Sequence, residues 1–237
     1  MPQPRRSPWS PLPDIALHAL VPVVKAHPDY RLAKAGDADA AFRLVEATVS
    51  PTAIDRMRRW ASPGVLPVLL PVHAAEQQGV NAIPLALAEA LGRELRWPVC
   101  TDVVQLNVVG HTGASGFSRL ARQAIFDGAV SPDTTLVLVD DFVGQGGTLA
   151  NLRGHVTHQG ASVIGASVLT GKPHSVHLSL TPSTLHVLRR THGSELEAWW
   201  NARFGHAFDC LTESEARYLC RTPDPHRIRA EVAAAER

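Results

Sequence analysis

The chain is poor in several things, and each scarcity excludes a class of protein. It has three cysteines in 237 residues, Cys100, Cys210 and Cys220, scattered and odd in number. That is neither a disulfide framework nor a metal-ligand spacing, and it fits a reducing cytoplasm. No apolar run approaches the ~18 residues or more of a membrane-spanning helix. Residues 1–13 hold five prolines and the Arg5-Arg6 pair but no apolar core of a signal peptide. Neither sign of charge is in excess, with 23 basic residues against 22 acidic ones. The basic surplus of a nucleic-acid binder is therefore missing, and neither nucleic acid nor a membrane is an expected partner. Lysine is scarce: Lys25, Lys34 and Lys172 are the three among those 23, which makes each easy to single out. No Gly-x-Ser-x-Gly elbow is present for hydrolase chemistry. Twelve histidines show no recognised zinc spacing with Cys or Glu partners.

What is present is concentrated in one stretch. Thr135–Val139 is β-branched and leucine-rich without polar alternation, as suits a strand buried on both faces of a parallel sheet. It runs into two adjacent carboxylates, Asp140 and Asp141, then into Gly144-Gln145-Gly146-Gly147-Thr148 and a helical pattern from Leu149. Ligands of open α/β sheets bind beyond the carboxyl ends of the strands. Carboxylates there can accept hydrogen bonds from the vicinal hydroxyls of a ribose. Glycines let the backbone approach a ligand closely, and successive N–H groups in such a turn form an anion nest at the positive end of the following helix. The stretch is not a P-loop, because no Lys-Ser/Thr follows the last glycine. Nor is it a dinucleotide fingerprint, because the glycine spacing differs and the acids come first. An ordinary βα turn with an Asp helix cap is the plain alternative.

The run 135–148 resembles the signature of the type I phosphoribosyltransferases, enzymes that use 5-phosphoribosyl-1-diphosphate (PRPP). The resemblance implies an α/β fold: a Rossmann-like parallel sheet flanked by helices, with a helical hood from the N- and C-terminal segments. The pattern of elements agrees with an α/β core, since strand and helix signals alternate over residues 65–170. The expected organisation is a flexible leader at 1–13, an N-terminal helical segment at 14–64, a core at 65–172 and a C-terminal helical cap and tail at 173–237. Helices are expected over Asp14–Val24, Asp37–Val49, from Ser50-Pro51 to Trp60, from Asn81 to Leu95, over Ser118–Phe126 and from Gly147 to His158. Three more are expected over Ser183–Arg190, Ser194–Phe204 and Glu213–Arg221, with a mobile tail beyond Thr222. Core strands are expected at Val65–Val72, with pairing confined to Val68–Leu70 by Pro67 and Pro71, at Val99–Val108, in the signature and at Ser162–Leu169.

By the resemblance, Asp140 and Asp141 hold the ribose hydroxyls directly or through Mg²⁺, and Gly144, Gln145, Gly146, Gly147 and Thr148 take the 5-phosphate. The pyrophosphate loop maps onto Val72, His73 and Ala74. A mobile lid maps onto Val108–Arg122, with His111 and with Arg119 and Arg122 as its catalytic cations. Lys172 is the base-binding candidate, and Trp199 or Trp200 could stack on a base from the hood. The implied activity is Mg²⁺-dependent transfer of phosphoribosyl from PRPP to a nucleobase or related nitrogen acceptor. The alternative is a non-catalytic PRPP- or nucleotide-sensing protein on the same fold. Dimers are common on this fold, so a homodimer is expected by analogy.

Overall fold

The computed structural model describes residues 4–76, 79–109, 115–222 and 224–235. A four-stranded, all-parallel sheet lies at its centre, in the order β1 (Ala16–Leu17), β8 (Ser162–Gly171), β7 (Thr135–Val143), β2 (Val68–Pro71). Two short antiparallel pairs lie outside it: β3 (Ala75–Glu76) with β4 (Gly79–Val80), and β5 (Val104–Gln105) with β6 (Phe126–Asp127). The long central strands β7 and β8 are covered on both faces, as their continuous apolar runs require.

One face of the sheet packs on the N-terminal helices α1 (Val21–Ala26), α2 (Tyr30–Lys34), α3 (Ala38–Thr48) and α4 (Pro51–Arg58), together with α5 (Ile83–Leu95). Val137 and Val139 of β7 join that layer, whereas Leu136 and Leu138 face the other way. The second layer is built on α7 (Gly147–Thr157) through Leu149, Leu152 and Val156. A third cluster, in the C-terminal cap, joins α6 (Gly116–Ala121), α8 (Pro182–Phe204), α9 (Glu213–Cys220) and α10 (Pro225–Ala235). The three cysteines are free thiols. No described helix is long and apolar enough to cross a membrane.

Local chemistry explains most boundaries. Asp37 and Ser50 accept the amides of Ala40 and Ala53 and so start α3 and α4. Pro51 fits the first turn of α4 because its missing N–H would be unpaired there. Thr212 and Glu215 form a reciprocal capping box at the start of α9. Gly193, at φ 70° and ψ 176°, breaks the 182–204 segment into the two expected helices. Asn81 does not cap α5 at its end but accepts the Ile83 amide one position earlier.

Other expectations are corrected. Asp14–Val24 is not one helix: Ala16-Leu17 pair with Ser167-Val168 at the sheet edge, and α1 starts only at Val21. The strand expected over 99–108 shrinks to β5 and two single-residue bridges, Val99 to Leu69 and Gln105 to Ala74. The tail beyond Thr222 is helical in α10, held by buried Ile228 and Val232.

The expected loose leader is packed over residues 4–13. Arg6 is buried, the Trp9 indole N–H donates to the Leu211 carbonyl at 2.6 Å, and the Leu12 amide donates to Ser179. Arg153 stacks on Trp9 and donates to the carbonyls of Ser7 and Pro8. Gly154 of α7 makes the crossing close, because a Cβ there would run into the Arg5 carbonyl.

Two buried histidines set a pH dependence. His18 accepts the Ser50 amide on Nδ1, so its Nε2–H donates to Ser167 at 2.8 Å. Burial, helped by Arg56, lowers its pKa to about 4. His206 packs against Trp200 and Phe204, and burial together with Arg6 lowers it to about 3. Both folded values lie below the unfolded one, so their contribution is fully present above pH ~6.5 and is lost as pH falls toward 4. Melting temperature should fall between pH ~6.5 and ~5, a window above most carboxylate titrations. His18→Asn or His206→Asn should flatten that slope in a pH series of thermal melts. An unchanged slope in both variants would exclude these two groups as its source.

Candidate functional site

Strand β7 carries the two acids at its carboxyl end, between β2 and β8. Asp140 and Asp141 are only 7% and 8% exposed. Successive strand residues point to opposite faces, so Asp140 continues the Leu136/Leu138 face and Asp141 the Val137/Val139 face. The two acids therefore differ in environment. Asp141 is paired with Lys34 at the end of α2, with Nζ 3.0 Å from Oδ2. Asp140 accepts the Asp141 amide at 2.8 Å on Oδ1. Burial first, and then the neighbouring Asp141 charge, push the Asp140 carboxyl well above the usual carboxylate range. The two carboxyls thus face different partners: Asp141 the Lys34 ammonium, Asp140 the buried side of the sheet and the Asp141 amide.

The glycine turn follows directly. Gly146 lies at φ 83°, a left-handed angle that suits glycine, and it is the N-cap of α7 with no side-chain cap on that helix. The first-turn amides of α7 are thus not satisfied by a capping side chain, as an anion-binding helix start requires. Ser175 donates to the Gly144 carbonyl and Thr212 to the Gln145 carbonyl, both at 2.6 Å. The Gln145 side-chain oxygen is buried without a hydrogen-bond partner.

Arg119 of α6 reaches this turn: its Nη1 lies where a Cβ on Gly144 would be. Burial lowers its pKa from the ordinary arginine value. The expected lid segment thereby brings Arg119 against the glycine turn. Gly144→Ala should displace the flexible end of Arg119 and cost little stability, roughly 1 kcal/mol or less, since only a side-chain tip must move. Loss of several kcal/mol in a denaturant titration would contradict that. Arg122, by contrast, is exposed and donates to the Ala235 carbonyl at 2.9 Å, so it serves the α6–α10 contact rather than the loop. His111 lies outside the described residues.

The remaining candidates separate. The Val72 amide donates to Val139, and the His73 carbonyl accepts the Gln105 amide, so 72–74 lies beside the end of β7. Val72 and Ala74 are buried, and His73 is half-buried. The backbone N–H of Lys172 donates to the Val143 carbonyl at 3.0 Å, and the residue is exposed. Trp200 is fully buried in the cap, and Trp199 packs against it with Arg229 nearby, so neither is placed to stack on a base.

Sequence reasoning missed two partners of these residues. Lys34 pairs with Asp141, and Lys25 holds its Nζ 5.7 Å from the Phe142 ring centroid. With Lys172, all three lysines of the chain stand at one end of the sheet. Their rarity was the available signal, but only long-range pairing reveals the convergence. The Asp141 carboxylate already faces an ammonium, and the described residues offer no group of three His, Cys, Asp or Glu for a metal, so Mg²⁺ at Asp140 and Asp141 would need oxygens from a substrate.

No family model matches the chain. It is 36% identical over 230 residues to the protein TraN of Escherichia coli, covering 97% of this chain and 51% of TraN. It is also 36% identical over 155 residues to an uncharacterized protein of Haemophilus influenzae strain Rd, covering 65% of this chain and 34% of that one. The chain thus spans about half the length, or less, of these curated relatives. Among solved structures, an adenine phosphoribosyltransferase is similar with a TM-score of 0.33 at 14% identity, over 57% of this chain and 76% of that one. A hypoxanthine phosphoribosyltransferase from Staphylococcus aureus gives 0.32 at 13% identity, over 51% and 60%. Scores this low carry no weight for the chemistry, which rests on the residues themselves.

Proposed function

We propose that this chain is a phosphoribosyltransferase. It would take PRPP with Mg²⁺, move the phosphoribosyl group to a ring nitrogen of a nucleobase or related heterocycle, and release pyrophosphate. The observation that supports this best is the order of parts at the carboxyl end of β7. Two buried acids, one of them paired with Lys34, are followed by a left-handed glycine turn that opens a helix without a side-chain cap.

In this reading the turn and the first amides of α7 hold the 5-phosphate. The Asp141 carboxylate accepts a ribose hydroxyl and favours the positive charge that develops on the sugar. Arg119 donates to the diphosphate as it leaves. The C1–oxygen bond to the diphosphate breaks, a C1–nitrogen bond forms, and the nitrogen proton passes to solvent or pyrophosphate. Mg²⁺ would arrive on the diphosphate as part of the substrate. Lys25, Lys34 and Lys172 supply positive charge matching the anionic donor. Lys34 must exchange Asp141 for substrate, since it holds that carboxylate at 3.0 Å.

That ion pair also favours a second reading, in which the chain binds PRPP or a nucleotide without turning it over. One experiment separates them: incubation with Mg²⁺, PRPP and a panel of nucleobases and carboxylated heterocycles, with pyrophosphate release and PRPP binding measured side by side. Release with one acceptor supports the enzyme. Binding without release across the panel supports the sensor, and absence of PRPP binding sinks both.

A further inference from the structure

We infer that the outer wall of the phosphate loop is supplied by parts of the chain outside the core: Ser175 and Thr212 orient its amides, and Arg6 cancels the charge of Glu215 behind it. The inference rests on the sugar-phosphate reading above and assigns positioning residues to that same loop.

The loop is gripped by its carbonyls. Ser175 Oγ donates to the Gly144 carbonyl, and Thr212 Oγ1 donates to the Gln145 carbonyl, each at 2.6 Å. The described peptides include no cis bond. In a planar trans peptide the N–H points opposite to the C=O. The N–H groups of Gln145 and Gly146 are therefore turned away from the cap, as a pair of adjacent donors of the kind that makes an anion nest. Thr212 is itself fixed, because its Oγ1 also accepts the Glu215 amide at 3.1 Å in the capping box of α9. The motif that starts a cap helix thus also sets the angle of two loop peptides.

Glu215 carries a cost that Arg6 removes. Its Oε1 lies 2.7 Å from the position a Cβ on Gly147 would take, at the first residue of α7. A bare carboxylate there would repel a phosphate. Arg6 meets it with two bonds, Nη1 to Oε2 at 2.6 Å and Nη2 to Oε1 at 3.0 Å, with both side chains 1% exposed. Its Nε donates to Asn151 Oδ1 of α7 at 2.5 Å, and its Nη2 lies 3.3 Å from the same Gly147 position. The charge pair reaches the loop as a neutral unit.

The test is calorimetric titration of the full chain with ribose 5-phosphate and with inorganic phosphate, at neutral pH and low salt. Ser175→Ala and Thr212→Val should each weaken binding about three- to tenfold, the scale of one hydrogen bond, while Thr212→Ser should match the parent. Arg6→Met should weaken it by about tenfold or more, and Arg6→Met with Glu215→Gln should return it to within about threefold. A purely structural role would make affinity follow melting temperature and would show no such rescue. If Arg6→Met does not fold, Glu215→Gln alone decides, because Gln keeps the capping box and leaves the Arg6 charge unbalanced; binding should then tighten by about threefold. A parent that binds and variants that all bind alike would overturn the inference alone. A parent that binds neither phosphate would overturn the sugar-phosphate reading and this inference with it.

Discussion

Asp141→Asn should lower the rate of pyrophosphate release by about 10²–10³-fold, the cost of removing one fixed group that meets transition-state charge. Asp140→Asn should cost less than about tenfold. The two acids are adjacent, yet their surroundings set them apart. Asp141 faces a lysine ammonium at 3.0 Å, and an amide in its place offers no charge to that ammonium or to the substrate. Asp140 is buried with its carboxyl pushed well above the ordinary range, and an amide is close to a protonated carboxyl in shape and charge. Both would be measured as kcat and KM for PRPP with a single acceptor. Equal losses at the two positions would mean that both are ionised in the complex, against the asymmetry of their surroundings.

Arg6→Ala should destabilise the fold by about 3–5 kcal/mol, because it leaves the Glu215 carboxylate buried without its partner. For a chain of this size that corresponds to a melting temperature lower by about 6–20 °C. Replacing both, as Arg6→Met with Glu215→Leu, should recover most of the loss, since buried ion pairs are often no more stable than packed apolar residues. The recovery should be incomplete, because Glu215 also accepts the Thr212 amide and Arg6 also serves Asn151. A loss below about 1 kcal/mol for Arg6→Ala in a denaturant titration would show that water reaches the pair.

The parts legible in the sequence were those set by neighbours in the chain. Asp37, Ser50 and Thr212 announce their helices because a cap needs only the next three residues. The signature strand, the glycine turn and α7 could be placed for the same reason, and so could the break at Gly193. What was not legible depended on distant partners. Nothing near Ala16 says that it will pair with Ser167, and nothing near Arg6 says that a carboxylate waits in α9. The proline-rich start looked loose because proline removes local hydrogen bonds, whereas its order comes from Arg153, Leu211 and Glu215. Arg119 and Arg122 show the limit at finer grain. They sit one turn apart, and packing alone sends one to the glycine turn and the other to α10.

The Arg6–Glu215 bond joins positions 209 apart. Bringing such remote positions together carries a large loop-closure cost, and contacts of this separation slow folding. A nascent chain that has emerged only as far as α8 already owns its sheet and its glycine turn but still lacks the acid that Arg6 must meet. Until α9 arrives, that arginine has no buried carboxylate to meet, so the contact flanking the turn can form only after the strands that carry the turn have been made.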